Sequence, residues 1–155
     1  TDSHNETSLY YSVYNVSFAQ IAKTNRFIAL VALGDMSIFN DSSHSRNDID
    51  TFIFDRLTKK LVTPEDMFIA SSSYLTLLST LVQAEFEKKG LVVSKEVIAP
   101  SVENFSKIVP TKNGLMIYIR DPKTSSSLLY QQVVLPYSKL RSVINKEGIL
   151  SDYIG

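Results

Sequence analysis

The sequence predicts an α+β fold: an antiparallel sheet, made of a meander of three strands plus a late hairpin and its following strand, packed on one main helix. Two observations carry this. Residues 73–90 form the long segment with a clear helical period: Tyr74, Leu77, Leu78, Leu81, Val82 and Phe86 recur at spacings of three and four. At roughly 100° per residue they join Leu75 and Ala84 in an apolar arc of about 200°. So wide a stripe needs a sheet to lie on. Around this segment run short stretches that alternate, or are apolar on both parities, and that end in Gly, Pro, Asn or Asp, which is strand-and-turn sequence.

In chain order, residues 1–8 read as a disordered tail of a single domain spanning 1–155. Residues 9–18 alternate as a strand, with Tyr10, Tyr14, Val16 and Phe18 on one side and Tyr11, Val13 and Asn15 on the other. Lys23, Thr24 and Asn25 make a turn. Residues 27–33 are apolar on both parities, as in a central strand covered on both faces, and Gly34 is the expected place for a bulge or bend before residues 36–39. Residues 40–47 are a polar loop. Residues 48–55 return as a strand with Ile49 and Ile53 facing one way, Phe52 and Phe54 the other.

Thr63 as N-cap, Pro64 at the first helical position and the acidic Glu65 and Asp66 predict a short helix ending near Phe68. Ser73 is the expected cap of the main helix, which Lys88, Lys89 and Gly90 close. Residues 91–100 read as a connecting arm, and residues 101–105 as a helical turn capped by Ser101. Ile108 and Val109, then Thr111-Lys112-Asn113-Gly114, then residues 115–119 read as a hairpin in which Asn-Gly supplies the positive φ angles of a tight turn. Residues 130–135 are a strand that Pro136 ends, and residues 138–144 read as helical with Leu140, Val143 and Ile144 inward.

Composition narrows the function classes. In 155 residues, 44% hydrophobic and 21% charged, the default is a folded domain with a real core. Sixteen basic and sixteen acidic side chains cancel, and no basic stripe is interleaved with aromatics, so no nucleic-acid partner is expected. Residues 27–33 are the longest apolar run, far short of the roughly 20 residues of a membrane-spanning helix, so no transmembrane segment is expected. With no cysteine there is no disulfide and no thiolate chemistry. The opening residues have no hydrophobic h-region, so no signal or anchor is expected within this stretch.

The best place to look for a ligand site is residues 40–50, dense in oxygen ligands and holding one of the two histidines, with Asp41, His44, Asp48 and Asp50 as candidate binding residues. As a calcium loop it lacks the glycine at the sharp turn and the glutamate at the twelfth position, so no metal is expected there. His44 between Ser43 and Ser45 gives a hydrolase reading, but neighbours on a loop do not hold a triad geometry, and no catalytic residue is assigned. Asp48 and Asp50 share a strand face, as paired acid and base residues do. Glu85 falls inside the apolar arc of the helix, with Lys88 and Lys89 three and four residues on, as in a surface ion pair. Tyr10, Tyr11 and Tyr14 are candidates for a sugar-stacking platform. There is no phosphate-cradling glycine loop, HExxH or CxxC, so no cofactor is expected.

Read in order, the motifs resemble a bacterial extracytoplasmic domain family found in the lysozyme-sensing anti-sigma-V factor, beside peptidoglycan deacetylase domains, and in membrane-anchored proteins and lipoproteins. The residues that carry the likeness are Asp50-Thr51-Phe52-Ile53-Phe54-Asp55, Thr58-Lys59-Lys60, residues 61–68, Asn104-Phe105-Ser106, residues 112–119 and residues 133–140, within a family-like core of about 27–145. Many members carry a Gly-Gly-Ala-His-like loop before the third strand. Here Asp41-Ser42-Ser43-His44-Ser45 keeps only the histidine, so no role tied to those glycines carries over. The resemblance implies an α+β domain outside the cytoplasmic membrane, tethered to membrane or wall in the full protein, that senses or binds a protein or cell-wall ligand without catalysis. An accessory module that holds cell-wall glycan is the alternative.

Overall fold

Thr24 reverses the chain at the first turn: its Oγ1 accepts the N–H groups of Arg26 and Phe27 at 3.1 and 3.0 Å. In the computed structural model, which describes residues 12–38, 46–120 and 130–154, this turn joins β1 (Ser12–Lys23) to β2 (Phe27–Ile38). β3 (Arg46–Asp55) and the two-residue β4 (Lys60–Leu61) complete an antiparallel sheet in the order β1-β2-β3-β4. The expected disordered tail lies outside the described residues.

The expectation of a bulge at Gly34 is corrected. β2 runs through it in unbroken register, Val16 opposite Gly34 and Gly34 opposite Asp48, and the irregularity falls in β1 between Gln20 and Ala22. What Gly34 provides is room. A Cβ there would collide with the Tyr14 hydroxyl and lie 3.0 Å from the adjoining ring carbon.

A second correction concerns β2's surroundings. Phe27, Ala29 and Val31 point into the core and are buried, as is Ile53 beside them on β3, but on the other face only the small Ala32 and Gly34 are buried, with Tyr14 lying over Gly34. There Ile28 and Leu30 are half-buried, and Phe18, Phe52, Phe54 and Leu61 are exposed.

Asp55 organises the turn that follows β3. It is the one buried charged residue among those described. Its Oδ1 accepts the Leu57 and Thr58 N–H groups at 2.8 and 3.3 Å, and Arg26 Nε lies 3.4 Å from the carboxylate. Burial pushes the carboxyl pKa up, but the two N–H groups and the guanidinium outweigh it and hold the value below the ordinary 3.8. A depressed carboxyl stabilises the fold above its unfolded pKa and loses that contribution as pH falls through the folded one. Asp55→Asn is therefore expected to cost about 1–3 kcal/mol at neutral pH. Urea unfolding repeated below the ordinary aspartate range should show the gap from the parent chain closing; a constant gap would refute the charge reading.

After a short 3-10 turn (Pro64–Met67), where Thr63 N–H and Oγ1 both donate to Asp66 Oδ2, comes α1 (Tyr74–Lys88). Ser73 stands at its N-cap but makes no capping hydrogen bond, because its ψ of 43° is not the extended value that turns a side-chain oxygen toward the first turn. The buried stripe is narrower than the sequence arc: Leu78, Val82 and Phe86, one per turn, with Tyr74, Leu75, Leu77 and Leu81 half-buried. Glu85 sits at its border and pairs with Lys88 at 2.7 Å and Lys139 at 3.1 Å, bonds that lower its pKa. Gly90 ends the helix at φ +67°.

The late strands form their own sheet, β5 (Ile108–Thr111), β6 (Gly114–Arg120) and β7 (Tyr130–Leu135), in that order and antiparallel. β6 is buried on both parities, with Leu115, Ile117 and Ile119 on one and Tyr118 on the other. β5 packs on β1, β2 and β3, while α1 packs on β7. Of the Asn113-Gly114 pair only Gly114 takes positive φ, at +151°. Pro136 ends β7, and in place of the helix expected over residues 138–144 a 3-10 turn (Tyr137–Lys139) and an irregular turn follow, which still lead Leu140, Val143 and Ile144 into the core as the sequence predicts. The chain closes with Ile149 and Leu150, both buried, and the short α2 (Ser151–Ile154), whose Tyr153 stacks on Tyr137 at 4.9 Å. One hydrophobic cluster runs through both sheets and α1. Among the described residues no helix is long and apolar enough to cross a membrane.

Candidate functional site: an open cleft between the sheets

Along the inward parity of β2 the side chains change character, from the buried Phe27, Ala29 and Val31 to the exposed Leu33 and Asp35. The strand has run past the sheet beneath it. In the register, Leu33 stands between Ser17 and Ile49, and Asp35 between Asn15 and Asn47. An apolar-centred row is thus followed by a polar one. Tyr130, Gln131 and Gln132 at the start of β7 form the opposite wall. The cleft so enclosed holds about 730 Å³, inside the roughly 300–1,000 Å³ common for small-molecule sites.

One bond closes this wall onto the first sheet. Tyr130 Oη donates to Asp48 Oδ1 at 2.8 Å, and the same oxygen accepts the Ile49 N–H at 3.0 Å. Burial and the Asp48 carboxylate both raise the Tyr130 pKa, so the phenol stays protonated as the donor at neutral pH. Asp48 thereby positions the wall.

Of the candidates read from the sequence, Asp48 lines the cleft. Asp50 does not; it is ion-paired with Lys107 at the outer edge of β3, so the two carboxylates do not work on a common point. Tyr14 lies over Gly34 on the far side of the sheet and is exposed. Asp41, His44, Tyr10 and Tyr11 lie outside the described residues. Among the described residues no three His, Cys, Asp or Glu side chains come together as a metal site. The chemistry on offer is hydrogen bonding from Asn15, Ser17, Asn47 and Gln132 around the apolar Leu33 and Ile49.

Sequence reasoning missed the amide and hydroxyl rows. A signal for them existed: Asn15, Ser17, Asp35 and Asn47 share the parity of Val31 and Ile53, and polar residues on a core parity mark the point where a strand leaves the core.

The geometry defines an α+β protein with a cleft between a strand meander and a hairpin sheet, and the fold, as distinct from the cleft, recurs in solved structures. No family model and no curated protein matches the sequence. A DUF3298 family protein from Pseudomonas aeruginosa PAO1 superposes with a TM-score of 0.64 at 11% identity, over 85% of this chain and 62% of that one. A member of the same family from Bacteroides fragilis NCTC 9343 gives a TM-score of 0.67 at 13% identity, over 88% of this chain and 55% of that one. The chain thus spans less than two thirds of either, and at such identity the likeness is one of fold.

Proposed function

We propose that the chain is a non-catalytic ligand-binding module that acts outside the cytoplasmic membrane as part of a tethered sensing protein. The observation that carries this is the cleft: a concave site of ligand-binding size, with a few polar groups around an apolar floor and a wall pinned by Tyr130 and Asp48. The location and the sensing role are supported by the resemblance of the motif order to extracytoplasmic bacterial domains, and the fold shared with DUF3298 proteins is compatible with both. A second reading, an accessory module for cell-wall glycan, is favoured by the lining itself. Amides, a hydroxyl and a carboxylate beside Leu33 and Ile49 match the hydroxyl rim and apolar face of a sugar ring.

The test is titration of the isotope-labelled chain with a soluble muropeptide and with chitotetraose, followed by amide shifts. Saturable shifts at Asn15, Ser17, Asn47 and Gln132 would support the glycan reading. Flat titrations with both, together with binding of an envelope protein, would leave the sensing reading in place. For either ligand class Leu33→Glu, at an exposed position that the fold tolerates, is expected to weaken binding by tenfold or more, about 1.4 kcal/mol. Unchanged affinity in Leu33→Glu would remove the cleft as the site.

A further inference from the structure

Every residue of β1 from 13 to 20 is exposed, on both parities. Five of the eight are apolar: Val13, Tyr14, Val16, Phe18 and Ala19. β1 is also an edge strand, with β2 as its one hydrogen-bonded strand partner among the described residues. The opposite edge of the sheet is closed by other means: β4 pairs with Phe54 and Asp55, and Lys107 and Tyr130 engage Asp50 and Asp48. The usual guards of an exposed edge are missing from residues 13–20, which contain no proline and no charge, and the bulge comes only beyond them.

We infer that β1 pairs edge to edge with β1 of a second copy, antiparallel about a twofold axis at Val16. The sequence around that residue complements itself. With Val16 opposite its own copy, Tyr14 meets Phe18 of the second copy on the outer face. Asn15 meets Ser17 on the cleft face, and Val13 meets Ala19. Each cross-strand pair joins like with like, aromatic to aromatic and polar to polar. The two four-stranded sheets become one continuous sheet, and the cleft rows of the two copies adjoin. The axis relates the same patch on both copies, as a closed dimer requires. The edge offers on the order of 500 Å² from each copy, short of the roughly 800 Å² of a stable complex, so the dimer is weak and depends on concentration.

The absence of native cysteine makes the test direct. Val16→Cys is expected to cross-link into a dimer of twice the chain mass under mild oxidation with diamide. Ala19→Cys alone is not, since its two copies stand about 20 Å apart in this register. Mixing Val13→Cys with Ala19→Cys should restore the cross-link. Without oxidant, Val16→Lys and Val16→Glu should each reduce the dimer by tenfold or more in sedimentation, and their mixture should recover it. The proposal fails if the parent chain stays monomeric up to about 1 mM. It fails equally if Ala19→Cys cross-links as readily as Val16→Cys, or if Phe52→Cys on the outer face does so instead.

Discussion

Gly114→Ala is expected to destabilise the protein by about 3 kcal/mol or more, lowering Tm by roughly 6–12 °C. Two effects act together. Gly114 has φ +151°, where an L side chain is strained, and its missing Cβ is the space that the β7 backbone occupies. An added Cβ would press on the Leu135 carbonyl oxygen and lie 2.8 Å from its carbon and 3.1 Å from Pro136 Cα. Backbone at the end of a central hairpin has little freedom to yield. The same corner carries two hydrogen bonds, from Thr111 Oγ1 to the Gly114 carbonyl at 2.7 Å and from Tyr137 Oη to the Thr111 carbonyl at 2.8 Å, which any shift would disturb. Gly90 is the control. It also has positive φ, but nothing lies within 4 Å of its Cβ position, so Gly90→Ala should cost only the backbone strain, about 1–2 kcal/mol. Equal losses for the two variants in urea unfolding would show that the contact with Leu135 is not what matters.

Leu78→Ala is expected to cost about 2–5 kcal/mol by leaving a cavity in the core. Leu78 is fully buried on α1, with Val82 and Phe86 one and two turns on, and the helix packs on β7 through this side. Leu81, part of the same apolar arc in sequence, is only half-buried. Leu81→Ala should therefore lose less than half as much, because part of the removed surface already faces water. Calorimetry on the pair would separate the core stripe from its flank, and a loss under about 1 kcal/mol for Leu78→Ala would mean that the stripe does not face the core.

That contrast shows what was legible. The period of Tyr74, Leu78, Val82 and Phe86 placed the helix, the alternation of residues 48–55 placed β3, and Pro136 placed the end of β7, because each is a local preference written in adjacent residues. How wide a stripe is covered is decided by what packs on it, so the arc of α1 and the two-sided apolar run of β2 overstated burial. Gly34 shows the same limit. A glycine in a strand can mark a bulge or a close approach, and only the register with Val16 and the position of the Tyr14 ring decide between them. The candidate site was legible in part. Asp48 drew attention as one acid among several, but its role comes from Tyr130, far along the chain, and no spacing rule connects the two. Asn15, Asp35 and Asn47 became a row only once three strands were set in register.

The bond between Tyr130 and Asp48 joins residues 82 positions apart in the chain. Its consequence lies in folding. Closing so long a loop costs only slightly more than closing a shorter one, since the entropy grows with the logarithm of length. What the bond demands is that both sheets exist and have docked. The floor of the cleft belongs to the first 50 residues and its wall to the last 30, so neither fragment carries half a cleft. The cleft is thus an all-or-none property of the assembled tertiary structure: a state that kept both hairpin systems but let them part would retain its strands and lose the cleft that the proposed binding function rests on.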